Sequence, residues 1–195
     1  MKPIVTFFGT QPYEQESFDA LNRDFGFEFR YFKGHLSRQT VVATHGAQAA
    51  CIFVNDTADA EVMRELARNG VRLLALRCAG YNNVDLEAAS ARGIVVMNTP
   101  GQNSNAVAEL ALAMMIFMAR NGFTPGTGSE IQGKTLGIHA YGNVGKLVGR
   151  KGKALGMNVV AYDPFITDEA VFEADGVKKV ATVEELYKAS DFLSL

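Results

Sequence analysis

Residues 136–146, Leu-Gly-Ile-His-Ala-Tyr-Gly-Asn-Val-Gly-Lys, constrain the fold of this 195-residue chain more than any other segment. An apolar run ends in a glycine-rich turn, and apolar residues at helical spacing follow, so the segment reads as strand, tight turn and helix. Positions 140, 142 and 145 have the spacing of G-x-G-x-x-G, with Ala140 in place of the first glycine. A glycine at 142 removes the Cβ that would keep a pyrophosphate from the backbone. Gly145 lets the helix lie close on the strand, and free amides at the helix start meet negative charge. Tyr141, Gly142, Asn143, Val144 and Gly145 are therefore the candidate cofactor contacts. Asp163 closes the next apolar run (V-V-A-Y-D) 18 residues beyond Gly145, close to the ~20 expected of a carboxylate that accepts hydrogen bonds from an adenosine ribose. No arginine follows it, which favours NAD over NADP. Ala140 sets a condition: at negative φ its Cβ is harmless, and at positive φ it costs about 1 kcal/mol or more.

The same alternation runs through the rest of the chain. Residues 4–8, 27–31, 50–54, 71–76 and 94–97 read as strands, with residues 27–31 alternating apolar and charged as at a sheet edge. Helical spacing recurs at Phe18, Leu21 and Phe25 and again at Val62, Met63, Leu66 and Ala67, and a short helix starts at Asp85. This predicts a doubly wound parallel α/β domain over residues 1–98, flavodoxin-like in type. The turn-forming TPGQNSN at 99–105 marks the crossing into a second domain, residues 99–195. That domain opens with an almost wholly apolar helix over 106–120, expected to be buried between the two domains. It continues as the first part of a Rossmann dinucleotide-binding unit, with strands at 135–139, 158–161, 177–180 and 192–195 and helices at 144–155 and 183–189.

Composition narrows the function classes. Nineteen basic and 21 acidic residues leave a net charge of -2, with no basic stripe of the kind that binds nucleic acid or an anionic membrane. The N-terminal apolar run is too short for a signal peptide, and the stretch at 110–119 is about half of what a bilayer crossing needs, so a cytoplasmic protein is expected. The two cysteines, Cys51 and Cys78, form no disulfide framework and read as buried thiols, although Cys78, following Arg77, could have some thiolate character. No metal set is expected.

Longer strings carry a family resemblance. F-F-G-T-Q-P-Y, F-V-N-D-T-A-D-A-E-V and L-R-C-A-G-Y-N-N-V-D-L-E-A-A resemble the substrate domain of D-lactate dehydrogenases. V-M-N-T-P-G-Q-N-S-N-A-V-A-E-L, G-I-H-A-Y-G-N-V-G and A-Y-D-P-F are closer to D-3-phosphoglycerate dehydrogenases. The chain thus resembles the D-isomer-specific 2-hydroxyacid dehydrogenases along its whole length. The resemblance implies hydride exchange between NAD(H) and a small 2-keto or 2-hydroxy acid in a cleft between domains, with a homodimer for the full-length enzyme. It implies that Cys78, Ala79, Gly80 and Tyr81 hold the substrate carboxylate through backbone amides, and that Val107 lies against the nicotinamide. The bare residues also allow Ala79–Gly80 as a plain strand end and Val107 as one more apolar residue on a buried helix.

The family's catalytic arginine, glutamate and histidine have no counterpart before Leu195, so no catalytic residue is assigned. His35, His45 and His139 read as structural or solvated, and Arg77 as a source of positive potential at most. The expectation is a truncated dehydrogenase that lacks its catalytic half and is inactive alone. D-lactate dehydrogenase leads as the parent activity and D-3-phosphoglycerate dehydrogenase is the alternative. A non-catalytic NAD-binding interaction module and a non-functional remnant are the readings from other classes.

Overall fold

The structure is a computed structural model that describes residues 2–195. The chain forms two compact units, Met1–Gln102 and Asn103–Leu195, and the division falls inside the turn-rich 99–105 segment.

The first unit runs β1 (Ile4–Phe7), α1 (Pro12–Asn22), β2 (Glu28–Tyr31), β3 (Ala49–Ile52), α2 (Ala60–Arg68), β4 (Leu73–Leu76), α3 (Leu86–Ala91) and β5 (Val95–Met97). Its strands are all parallel in the order β2-β1-β3-β4-β5, the flavodoxin-like arrangement, with the charged-alternating β2 at the edge. The two-residue period of a strand sends Ala50, Ile52, Leu74 and Leu76 to one face, where they meet Val62, Met63 and Leu66 of α2 and Ala88 and Ala89 of α3. Both helices start on an aspartate: Asp59 accepts from the Glu61 and Val62 amides, and Asp85 from the Ala88 amide.

The opposite face is covered less completely. Phe7 packs on Phe18, Phe29 and Tyr31 at ring separations of 4.7–5.1 Å. No residue of α1 is buried, and Leu21 is 62% exposed.

The second unit runs α4 (Ser104–Ala119), β6 (Thr135–His139), α5 (Asn143–Ala154), β7 (Asn158–Tyr162), α6 (Ala170–Glu173), β8 (Lys178–Lys179), α7 (Val183–Ala189) and β9 (Phe192–Ser194). The parallel order β8-β7-β6-β9 is the 3-2-1-4 order with which a Rossmann sheet begins. Leu136, Ile138, Val159 and Ala161 form its core with Val148 of α5 and Phe172 of α6. The expectation that α4 is buried all round is not met. Only the stripe Ala108, Leu112, Met115 and Ala119 is buried, whereas Leu110, Met114 and Met118 are exposed. The cause is geometric: α4 rests on α5 through one i, i+4, i+7 stripe, and of the other described elements of its unit only the short turn at 121–123 packs closely on it, through Phe123 on Phe117.

Candidate functional site

Two loops leave the carboxyl ends of strands, the position at which open α/β sheets bind ligands. The first joins β6 to α5. Ala140 sits there at φ +83°, the left-handed region in which a side chain is strained, and its amide donates to the Tyr162 carbonyl at 2.9 Å. Gly145 one turn later is obligatory, because a Cβ would collide with the Ala140 carbonyl oxygen. Gly142 differs. Its backbone is extended and a Cβ would meet no protein atom within 4 Å, so its missing side chain matters only toward a ligand. No side chain caps α5, and the amides of Gly142, Asn143 and Val144 have no protein acceptor among the described residues. Close-approaching glycine backbone and uncapped amides fit the pyrophosphate of a dinucleotide.

Asp163, at the end of β7, is 8% exposed. Its Oδ2 accepts the Tyr141 amide and its Oδ1 the Phe165 amide, both at 2.8 Å. Each carboxylate oxygen retains a second lone pair, so the group can brace the loop and still accept from a ribose. A cavity of about 380 Å³ opens beside it, lined in part by Tyr162, Pro164, Ile166, Glu169 and Val180. Asp163 and Glu169 at this cavity suit a ribose hydroxyl, and Lys179, which also lines it, donates to the Thr167 carbonyl at 3.4 Å and lies over the Phe172 ring.

Tyr141 requires a correction. As a candidate contact it offers neither its ring nor its amide to a ligand: the side chain is fully buried and stacked on Phe172 at 4.8 Å, and the amide is committed to Asp163. Its hydroxyl donates to Asp175 Oδ2 at 2.8 Å, and Arg150 Nε donates to the other oxygen at 2.7 Å. Burial, then the Asp175 hydrogen bond, raises the phenol well above its ordinary value. Burial alone would raise Asp175, but the hydrogen bonds from Arg150 and Tyr141 outweigh it and hold the carboxyl below its usual range.

The second loop, residues 78–81, follows β4. All four of its carbonyls are engaged: Cys78 by the Thr99 amide, Ala79 by Asn98 Nδ2, Gly80 by Cys78 Sγ and Tyr81 by the Val84 amide. The amides of Ala79 and Gly80 have no protein acceptor among the described residues, so the loop presents donors, as an anion site requires. Tyr81 is half exposed and borders a cavity of about 140 Å³ with Leu86, Val96 and Asn98.

Arg77 adds positive potential at Cys78, though less than burial takes away. It is buried beneath the β1–α1 turn, with Nε 3.0 Å from Glu14 Oε1 and Nη2 donating to the Phe8 carbonyl at 3.1 Å. Sequence reasoning missed Glu14, whose other oxygen accepts the Gln11 amide at the start of α1. The suggestion of thiolate character at Cys78 falls, because burial raises its thiol despite the nearby arginine. Burial likewise pushes the Cys51 thiol up to about 11. His139 Nδ1 lies 3.0 Å from the Tyr187 hydroxyl, and His35 stands 3.6 Å from the buried Asp56 carboxylate. Val107 is exposed in the first turns of α4 rather than buried with the helix.

This geometry agrees with what the chain is similar to. The family described as D-isomer specific 2-hydroxyacid dehydrogenase, catalytic domain, matches residues 5–189. A 2-hydroxyacid dehydrogenase homolog of Schizosaccharomyces pombe is 37% identical, covering 98% of this chain and 61% of its own length. The D-lactate dehydrogenase of Escherichia coli is 37% identical, covering 96% and 60%. Among solved structures, the cofactor (NAD+)-bound 3-phosphoglycerate dehydrogenase of Entamoeba histolytica aligns over 100% of this chain and 62% of its own, at 33% identity and a TM-score of 0.84. The chain thus spans about 60% of the length of the curated relatives it matches.

Proposed function

The chain belongs to the D-isomer specific 2-hydroxyacid dehydrogenase family, and on that premise we propose that it binds NAD(H) through its second unit and the carboxylate of a small 2-keto or 2-hydroxy acid through its first. The observation that carries this is the pair of strand-end loops that leave consecutive amides without a protein acceptor among the described residues. The amides of Gly142, Asn143 and Val144 hold the pyrophosphate, Asp163 accepts from the adenosine ribose, and Ala79 and Gly80 hold the substrate carboxylate. NAD supplies the hydride exchange with the substrate C2. No described residue is assigned as the acid–base group, and Val107 is assigned to the nicotinamide side on the family resemblance.

We favour a D-lactate dehydrogenase-like substrate over a phosphorylated one. A phosphate needs a cation, and the arginine beside the carboxylate loop is spent on Glu14 and internal carbonyls. Titrating the purified chain with NADH and then with pyruvate or 3-phosphohydroxypyruvate tests the reading. NADH binding that is lost in Asp163→Ala, with pyruvate preferred, is expected. Failure to bind NADH overturns the cofactor assignment, and preference for the phosphorylated acid overturns the substrate. Tight NADH binding together with a cofactor-dependent change in oligomeric state would instead favour a binding module.

A further inference from the structure

The dinucleotide loop carries a strained residue that its neighbours must hold in place. Ala140 stands at φ +83°, and a non-glycine residue persists there only where its surroundings over-determine the backbone. Those surroundings converge on the next residue. The Tyr141 amide is pinned to Asp163, its ring is stacked on Phe172, and its hydroxyl reaches Asp175, which Arg150 holds from the other side. These partners come from the end of β7, from α6 and the turn after it and, through Asp175, from α5, so one residue ties the loop to three separate segments, the first by its amide and the others by its side chain. The amides intended for the pyrophosphate begin at the very next residue, Gly142.

We propose that Tyr141 is a positioning residue for dinucleotide binding, a latch between Asp163 and the Arg150–Asp175 pair that holds the turn in the left-handed shape its alanine resists. The inference rests on the dinucleotide reading above. It makes the role of Tyr141 conditional on residue 140: with a glycine there the turn needs no latch.

The test is a double-mutant cycle on the full 195-residue chain with Tyr141→Phe, which keeps the stacked ring, and Ala140→Gly. NADH affinity is measured by fluorescence titration under conditions where every variant is fully folded, and urea unfolding is measured without cofactor. Tyr141→Phe is expected to weaken NADH binding about tenfold with Ala140 present and by about twofold or less in the Ala140→Gly background. A merely structural tyrosine would shift unfolding and leave the affinity of the folded protein unmoved. The latch is overturned if Tyr141→Phe binds as the parent does, or loses the same factor in both backgrounds. If the parent binds no NADH, the dinucleotide reading fails by itself, and the cofactor-free cycle decides the latch: non-additive unfolding midpoints support it and additive ones overturn it.

Discussion

The two ligand-facing loops solve one problem by different means. Each leaves consecutive amides without a protein acceptor at a strand end, among the described residues. The 78–81 loop does so without strain: its carbonyls take bonds from neighbouring amides, one asparagine and its own cysteine, and the preceding Arg77 is anchored on Glu14. The 140–145 loop forces Ala140 to positive φ, presses the start of α5 against it, and holds the result with two aspartates acting through Tyr141. The comparison teaches that Gly145 serves for close approach whereas Gly142 and Gly80 leave room only toward a ligand, so Gly→Ala substitutions at these positions should differ sharply in cost.

The largest effect is expected at Gly145. Gly145→Ala sets a methyl against the Ala140 carbonyl, a backbone atom that cannot swing aside, and should destabilise the second unit by about 4 kcal/mol. Urea unfolding followed by circular dichroism reads this, and a shift under about 1 kcal/mol would mean that the loop is less constrained than its geometry implies. Next comes the anchor of the first loop. Arg77→Met leaves Glu14 without its partner in a site where both side chains are mostly buried, and should cost the first unit about 3 kcal/mol. Partial recovery in Glu14→Gln/Arg77→Met would show that the loss lies in the stranded carboxylate. A smaller effect of opposite sign belongs to Ala140→Gly, which relieves the left-handed strain. It should stabilise by about 1 kcal/mol less the entropy a glycine adds to the unfolded chain, and a lower midpoint than the parent would count against strain at this position.

Much of this architecture was readable from spacing alone, because strand and helix periods depend on neighbours a few residues apart. Strand 135–139 and helix 183–189 appear with the predicted limits, the latter started by the Thr182 side chain on the Glu185 amide. The helix carrying Phe18 and Leu21 stops short of Phe25 because the Asn22 side chain bonds both the amide and the carbonyl of Phe27, drawing the chain toward β2. The strand at 50–54 ends at Ile52 because Asp56 takes the Phe53 amide at 2.5 Å. The glycine spacing and Asp163 could be read, but what Asp163 does in the folded loop could not. Tyr141 with Asp175 and Glu14 with Arg77 join residues 34 and 63 positions apart, beyond the reach of any local pattern. The ambiguity at Ala140 was visible in the sequence, and only the backbone angle resolves it.

The finest distinction between the loops rests on two glycines that the fold tolerates losing. At Gly142 and Gly80 an added Cβ meets no protein atom, and neither has positive φ, so Gly142→Ala and Gly80→Ala should each change stability by no more than about 0.5 kcal/mol. Their effects on ligands should separate. The methyl at 142 projects from the backbone that approaches the pyrophosphate, so NADH binding should weaken at least about tenfold while 2-keto acid binding is unchanged. The methyl at 80 stands beside amides that meet a smaller anion, and it should weaken 2-keto acid binding while leaving NADH affinity within about twofold of the parent. Crossed losses, with NADH affinity falling on Gly80→Ala or acid affinity on Gly142→Ala, would show that the two ligands are not divided between the loops as proposed. Paired NADH and 2-keto acid titrations of the two variants therefore test the division with little interference from folding.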